Sequence, residues 1–304
     1  MNVAMTKESL PYSNESNLEF FLSCQDHTVS RETFNLYRDK ENDLLITLPR
    51  PSIQELPGYY DSDDYISHTD SKESMMDRAY QMIKNYSIKK KVNMINGMVP
   101  KKGLILDIGC GTGDFLKACQ KEGWQVYGIE PNDKARELTG KKIDKKELVS
   151  DRIDSFLNTH EGQFDMITMW HVLEHVPNLL EYIEQVKFLL KPEGSLVIAV
   201  PNFNSYDAKH YQAHWAAYDV PRHLWHFSEK AIRNIFGKYK FKVVKTLPLL
   251  FDSFYVSLLS EKYKAGKTNL LRALQIGLYS NLKAIRSKQY SSLIYLIKNE
   301  NKAL

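Results

Sequence analysis

The feature that most constrains this chain is a short apolar strand that runs straight into three alternate glycines and then a helix. Residues 106–115 read LDIGCGTGDF, with glycines at 109, 111 and 113. Glycine lets the backbone turn sharply and approach a ligand with no Cβ in the way. The strand–turn–helix setting makes this spacing informative where a bare glycine triplet would not be. It is G-x-G-x-G, one residue short of the G-x-G-x-x-G that seats a pyrophosphate on a helix N-terminus. Asp107 places a carboxylate inside the turn, which suits a cationic ligand better than a diphosphate. A dinucleotide-dependent dehydrogenase is disfavoured on both counts.

From Lys102 onward, strand and helix patterns alternate. GLILDIG, QVYGIEP, ELVSD, FDMITMW and SLVIAVP read as strands. GDFLKACQKEG, NDKARELTGKK (capped by Asn132 or Asp133) and LLEYIEQVKFLLKPEG read as helices. Two later strands, FKVVKTLP and SSLIYLIK, bring the total to seven. Such alternation predicts an α/β fold, a mostly parallel sheet with helices on both faces. An insert at 251–287 separates the last two strands and carries an amphipathic helix marked by Leu270, Leu274, Leu278, Leu282 and Ile285. Ahead of the glycine turn, helical spacing of Met75, Met76, Ala79, Met82, Ile83 and Tyr86 predicts a helix over 71–98.

The turn LDIGCGTGDF resembles the first motif of class I S-adenosylmethionine (SAM)-dependent methyltransferases. Glu130 ends the second strand, 17 residues after Gly113, and matches that family's acidic residue for the two ribose hydroxyls. A carboxylate suits a vicinal diol because it only accepts. FDMIT and KPEGSLVIAVPN follow in order. The resemblance covers about residues 70–245. It implies a Rossmann-like sheet, SAM as cofactor and methyl transfer as the activity. It places Asp107 near the amino-acid moiety of SAM and the loop of Gly109, Cys110, Gly111 and Gly113 beneath it. Glu130 and Pro131 would meet the ribose and Asp151 the adenine. Trp170 and His171, just past the fourth strand, would border both cofactor and acceptor.

Two histidine-rich segments are the candidates for chemistry. WHVLEHVPN, residues 170–178, contains the H-x-x-E-H spelling of an inverted zinc-protease motif. That reading fails because the segment lies at a strand end, whereas the zinc motif needs a continuous helix. Glu174 and His175 resemble the L-E-H stretch of ubiquinone-biosynthesis O-methyltransferases. Residues 201–228 gather His210, His214, Trp215, Tyr218, Asp219, Arg222, His223, Trp225 and His226 in one loop, expected to be a substrate lid or wall. The pattern D-x-P-R-H-L-x-x-F-S within it resembles one methyltransferase subgroup. A hydroxyl acceptor needs a base, and histidine titrates in the right range. His223 is the first expectation for that base and His171 the second. Tyr60, Tyr65, His214, Trp215 and Arg222 are expected to line the acceptor site.

Residues 24–51 resemble the small zinc ribbon that precedes some of these methyltransferases, but its paired cysteines are missing, and Cys24 alone cannot hold a metal. The expectation is a metal-free, ribbon-like appendage over 1–58 and a catalytic domain over 59–304, with no metal at the site. Three cysteines form no disulfide framework, and no apolar leader opens the chain, so a cytoplasmic protein is expected. From 238 to 304 there are 13 Lys/Arg against 3 Asp/Glu, a net of +10, whereas 1–237 is net −6. The basic insert therefore suggests a peripheral membrane contact. The acceptor is expected to be a small or lipid-like molecule, methylated at oxygen, and not nucleic acid, since no N-P-P-Y type motif follows the fourth strand. The oligomeric state stays open. A non-catalytic SAM-binding protein is the alternative.

Overall fold

The computed structural model describes residues 17–60, 75–99 and 101–300, with α1 described as backbone only over 75–80. Its central sheet has seven strands. They are β4 (Leu104–Ile108), β5 (Gln125–Ile129), β6 (Val149–Ser150), β7 (Phe164–Trp170), β8 (Leu190–Pro201), β10 (Phe241–Pro248) and β11 (Ser292–Asn299). The order is β10-β11-β8-β7-β4-β5-β6. The pairs β8–β7, β7–β4, β4–β5 and β5–β6 are parallel, and β11 runs antiparallel to both its neighbours. β4 and β7 lie at the centre, covered on both faces. That is why LILDI and FDMITMW are near-continuous apolar runs rather than alternating ones.

Helices α1 (Met75–Asn96) and α2 (Asp114–Lys121) pack on one face, through Val92 and Ile95 and through Phe115, Leu116 and Cys119. α3 (Asp133–Ile143) starts as expected at Asn132, whose side chain accepts from Ala135 N at 3.0 Å. The short α4 (Asp154–Leu157) leads into β7. α5 (Leu179–Leu189) buries Leu179, Ile183, Val186 and Leu189, one face at helical spacing. It ends earlier than its pattern suggests, because β8 begins at Leu190 and takes up the KPEG segment.

The N-terminal segment is an antiparallel meander, β1 (Leu18–Gln25), β2 (Thr33–Asp39) and β3 (Leu44–Leu48). Two aspartates organise its turns. Asp26 accepts from the N–H groups of Thr28, Val29 and Ser30, and Asp39 from those of Glu41 and Asn42. The meander is completed from within the histidine-rich loop, where β9 (Trp225–His226) pairs with β3. That loop is not a lid. It folds into α6 (Tyr206–Tyr211) and two 3-10 turns, and buries Phe203, Tyr211, Trp215, Tyr218, Trp225 and Phe227. Its aromatic residues drive it inward, against β1 to β3 on one side and the insert on the other.

The insert is two helices rather than one, α7 (Glu229–Lys238) having preceded β10. They are α8 (Asp252–Ala265) and α9 (Leu270–Ser287), joined through Gly266 at φ +70. Among the described residues, no helix is long and apolar enough to cross a membrane.

Candidate functional site

The turn after β4 holds Gly109, Gly111 and Gly113 at φ +72, +55 and +76. Gly109 is fixed by packing, since a Cβ there would fall 2.4 Å from Val172 Cγ2. Gly111 faces open space, with nothing within 4 Å of where its Cβ would stand. Glu130, at the tip of β5, accepts from Gly111 N through Oε2 (2.8 Å) and from Asn132 N through Oε1 (3.0 Å). Its carboxylate thus joins two strand ends and keeps lone pairs for a further donor. Pro131 beside it is exposed, and its carbonyl accepts from Arg136 (3.1 Å).

Asp107 lies beneath the turn rather than on it. It is 2% exposed and accepts from the Thr168 hydroxyl at 2.6 Å. Burial, only partly offset by that hydroxyl and by Lys91, pushes its carboxyl up to about 7. Lys91 of α1 was invisible to motif reading, because nothing local distinguishes it from Lys89 and Lys90 just before it. Its ammonium sits 4.0 Å from the centre of the Trp170 ring. Trp170 also meets Phe115 edge-on at 5.6 Å, and its buried Nε1 has no hydrogen-bond partner among the described residues. Cys110 is buried in the core behind the turn. Asp151 is exposed, with Arg152 at 3.5 Å.

Past β7, His171 at φ +58 is clamped between two carboxylates. Nδ1 is 3.2 Å from Glu174 Oε1 and Nε2 is 3.0 Å from Asp252 Oδ2. Burial opposes charge on the ring, but Asp252 and Glu174 outweigh it and push the imidazole up to about 10. An imidazolium that donates from both nitrogens has no lone pair at neutral pH, so the expectation of His171 as a base is corrected. Asp252 opens α8, so the 251–287 insert reaches this site, although no local spacing singled out Asp252 itself.

Glu174, 1% exposed, leaves Oε2 without a hydrogen-bond partner among the described residues. Facing it are His175 and His223, whose rings meet edge to face at 4.6 Å. His223 Nδ1 lies 2.9 Å from the Ala217 carbonyl, which can only accept, so Nδ1 donates and the lone pair of the neutral ring falls on Nε2. His175 Nδ1 is shared by the Arg222 carbonyl (3.1 Å) and the Tyr60 hydroxyl (2.9 Å). Burial, then the neighbouring His223, pushes His175 down to about 4, so it is neutral. Ligand atoms of Glu174, His175 and His223 all lie within 4.8 Å of one another, a set able to hold a divalent cation. Glu174 and His175 are the L-E-H pair of the sequence, and His223 joins them from a different loop, giving candidate metal ligands to a site expected to hold no metal.

The remaining expected acceptor residues scatter. Trp215 is 2% exposed, and its Nε1 donates to Asp207 at 2.8 Å, so it belongs to the core and lines no acceptor site. Arg222 is buried between Asp26 (2.9 Å) and Asp219 (2.7 Å) and donates to the Tyr59 carbonyl. This is a structural ion network that pins the N-terminal meander to the loop. His214 sits 6.0 Å from the ring of His27, at the meander. Tyr60 does reach the cluster through His175, and Tyr65 lies outside the described residues.

Residues 76–246 match the protein family described as a methyltransferase domain. Similar curated proteins include the ubiquinone biosynthesis O-methyltransferase of Actinobacillus pleuropneumoniae, 40% identical over 115 residues, which are 35% of this chain and 48% of that one. The namesake from Yersinia enterocolitica is 34% identical over 116 residues, 36% and 46% of the two chains. This chain spans about half the length of the curated relatives it matches. Among solved structures, a Burkholderia thailandensis 1,6-didemethyltoxoflavin-N1-methyltransferase superposes with a TM-score of 0.52 at 13% identity, covering 91% of this chain and 100% of that one. A geranyl diphosphate C-methyltransferase from Streptomyces coelicolor does so at 0.50 and 12% identity, covering 77% and 87%. At such identities the likeness is one of fold.

Proposed function

Because the chain belongs to the methyltransferase-domain family, which matches more than half its length, we propose that it transfers the methyl group of SAM to a hydroxyl of a small or lipid-like acceptor. The observation that carries this reading is the Glu130 carboxylate, poised between Gly111 N–H and Asn132 N–H beside the open face of Gly111. The residues present fit SAM. Glu130 offers acceptors for a ribose diol. Asp107 and Lys91 provide one group of each sign for the two charges of an amino-acid moiety. Trp170, at the end of β7, has an N–H unpaired among the described residues. When bound, SAM supplies an electrophilic methyl on a sulfonium. The chain's own part is to orient, to exclude water and to take a proton.

The proton acceptor is His223 through Nε2, because its Nδ1 proton is held by the Ala217 carbonyl. His171 holds Asp252, and with it the start of α8, at the edge of the site. Oxygen as the acceptor atom is supported by the name of the curated relatives, O-methyltransferases of ubiquinone biosynthesis. Methyl transfer from labelled SAM to hydroxylated aromatic acceptors tests the reading. His223→Asn keeps a donor for the Ala217 carbonyl but removes the base. It should lower turnover by roughly 10²–10⁴-fold while SAM affinity stays nearly unchanged, the pattern of a group used in the transition state. Loss of SAM binding together with early melting in both His223→Asn and His223→Ala would make His223 structural instead.

A further inference from the structure

Helix α9 has two opposed faces. Ala273, Gly277, Ser280 and Ala284 are buried against the rest of the molecule. They are small because the helices meet closely there. A Cβ at Gly277 would stand 2.7 Å from Phe254 Cδ1 of α8, and Ser280 Oγ donates to buried Asp207 at 2.6 Å. On the other side, Leu271, Leu274, Leu278, Leu282 and Ile285 recur at steps of three and four and are 46% to 74% exposed. They form an apolar stripe about 21 Å long at 1.5 Å per residue. Single exposed leucines are ordinary, but a continuous stripe marks a surface that meets something apolar.

Charge identifies the occupant. α9 carries no acidic residue, and Lys283 and Arg286 run along one flank of the stripe with Arg272, whose guanidinium also meets Glu261 of α8 at 3.3 Å. Lys264 and Lys267 add to them from the α8 end. We infer that this face of α9 docks on an anionic lipid bilayer, with the leucine stripe at the headgroup–acyl boundary and the cations at the phosphates. A second copy of this chain is a poorer occupant, since stripe-to-stripe pairing would bring flanks of the same sign together. The surface is separate from the cofactor turn and does not depend on which acceptor is methylated.

Co-sedimentation with vesicles tests it directly, using phosphatidylcholine alone and phosphatidylcholine with about a third phosphatidylglycerol. The full chain should pellet with the anionic vesicles, stay in the supernatant with the zwitterionic ones and be released by salt. Leu271→Ser with Leu278→Ser should weaken that binding at least about tenfold. Because both positions are exposed, helical circular dichroism and binding of S-adenosylhomocysteine should not change. Lys283→Glu with Arg286→Glu should abolish the preference for anionic lipid. Failure of the full chain to pellet, or equal pelleting of the stripe variant, overturns the inference. So does a dimer in light scattering that the stripe variant converts to monomer, which would assign the face to a second copy.

Discussion

At the scale of single residues, the most informative is His171. Its ring is an edge group, with a side chain 36% exposed, yet two carboxylates hold it charged. The folded value near 10 lies above the unfolded value of roughly 6.5. Its contribution to stability is therefore fully present below about pH 6.5 and is lost as pH rises toward 10. The melting temperature should fall over that window in thermal scans, and His171→Gln should flatten the fall. Solvent screening keeps the effect smaller than for a fully buried pair. An unchanged pH profile in His171→Gln would show that the clamp does not hold in solution. Sequence reading offered His171 as a base, a role its two carboxylate partners oppose, since neither the Glu174 geometry nor Asp252 is visible from local spacing.

At the scale of elements, the strands and helices of the central sheet were legible because each is a local apolar run with its own period and cap. What local patterns do not carry is pairing between distant segments. The three-stranded meander forms from LEFFLSCQ, TFNLYRD and LLITL, but no local pattern shows its closure by β9. The same holds for the loop at 201–228, whose tryptophans read as a ligand wall and in fact fill a core. Helix α9 gives the complementary lesson. Its leucine periodicity is real, but the side that packs is the one made of Ala273, Gly277, Ser280 and Ala284. Arg222 tests how the elements are joined. Its side chain is 4% exposed, and Asp26 is fully buried. Arg222→Ala would leave two carboxylates without their cation, so it should cost about 3–5 kcal/mol in chemical denaturation. Arg222→Lys should recover only part, lacking the planar fork. A loss below about 1 kcal/mol would show that the meander is not held through this residue.

At the scale of the whole molecule, the parts divide the work. β4, β5 and β7 present the cofactor turn, Glu130 and Trp170. The meander and the loop behind it hold His175 and His223 in place, and the insert reaches in through Asp252. The central claim is that the glycine turn and Glu130 bind SAM, and calorimetry with S-adenosylhomocysteine is the most direct check. One equivalent should bind per chain. Glu130→Ala should weaken binding by roughly tenfold or more, the equivalent of about 1.5–3 kcal/mol for a hydrogen bond to a charged group. Gly111→Ala meets no described neighbour but carries the strain of φ +55, so it should lose affinity with only a small drop in melting temperature. Heat from a nicotinamide dinucleotide and none from S-adenosylhomocysteine, or binding indifferent to both substitutions, would contradict the account.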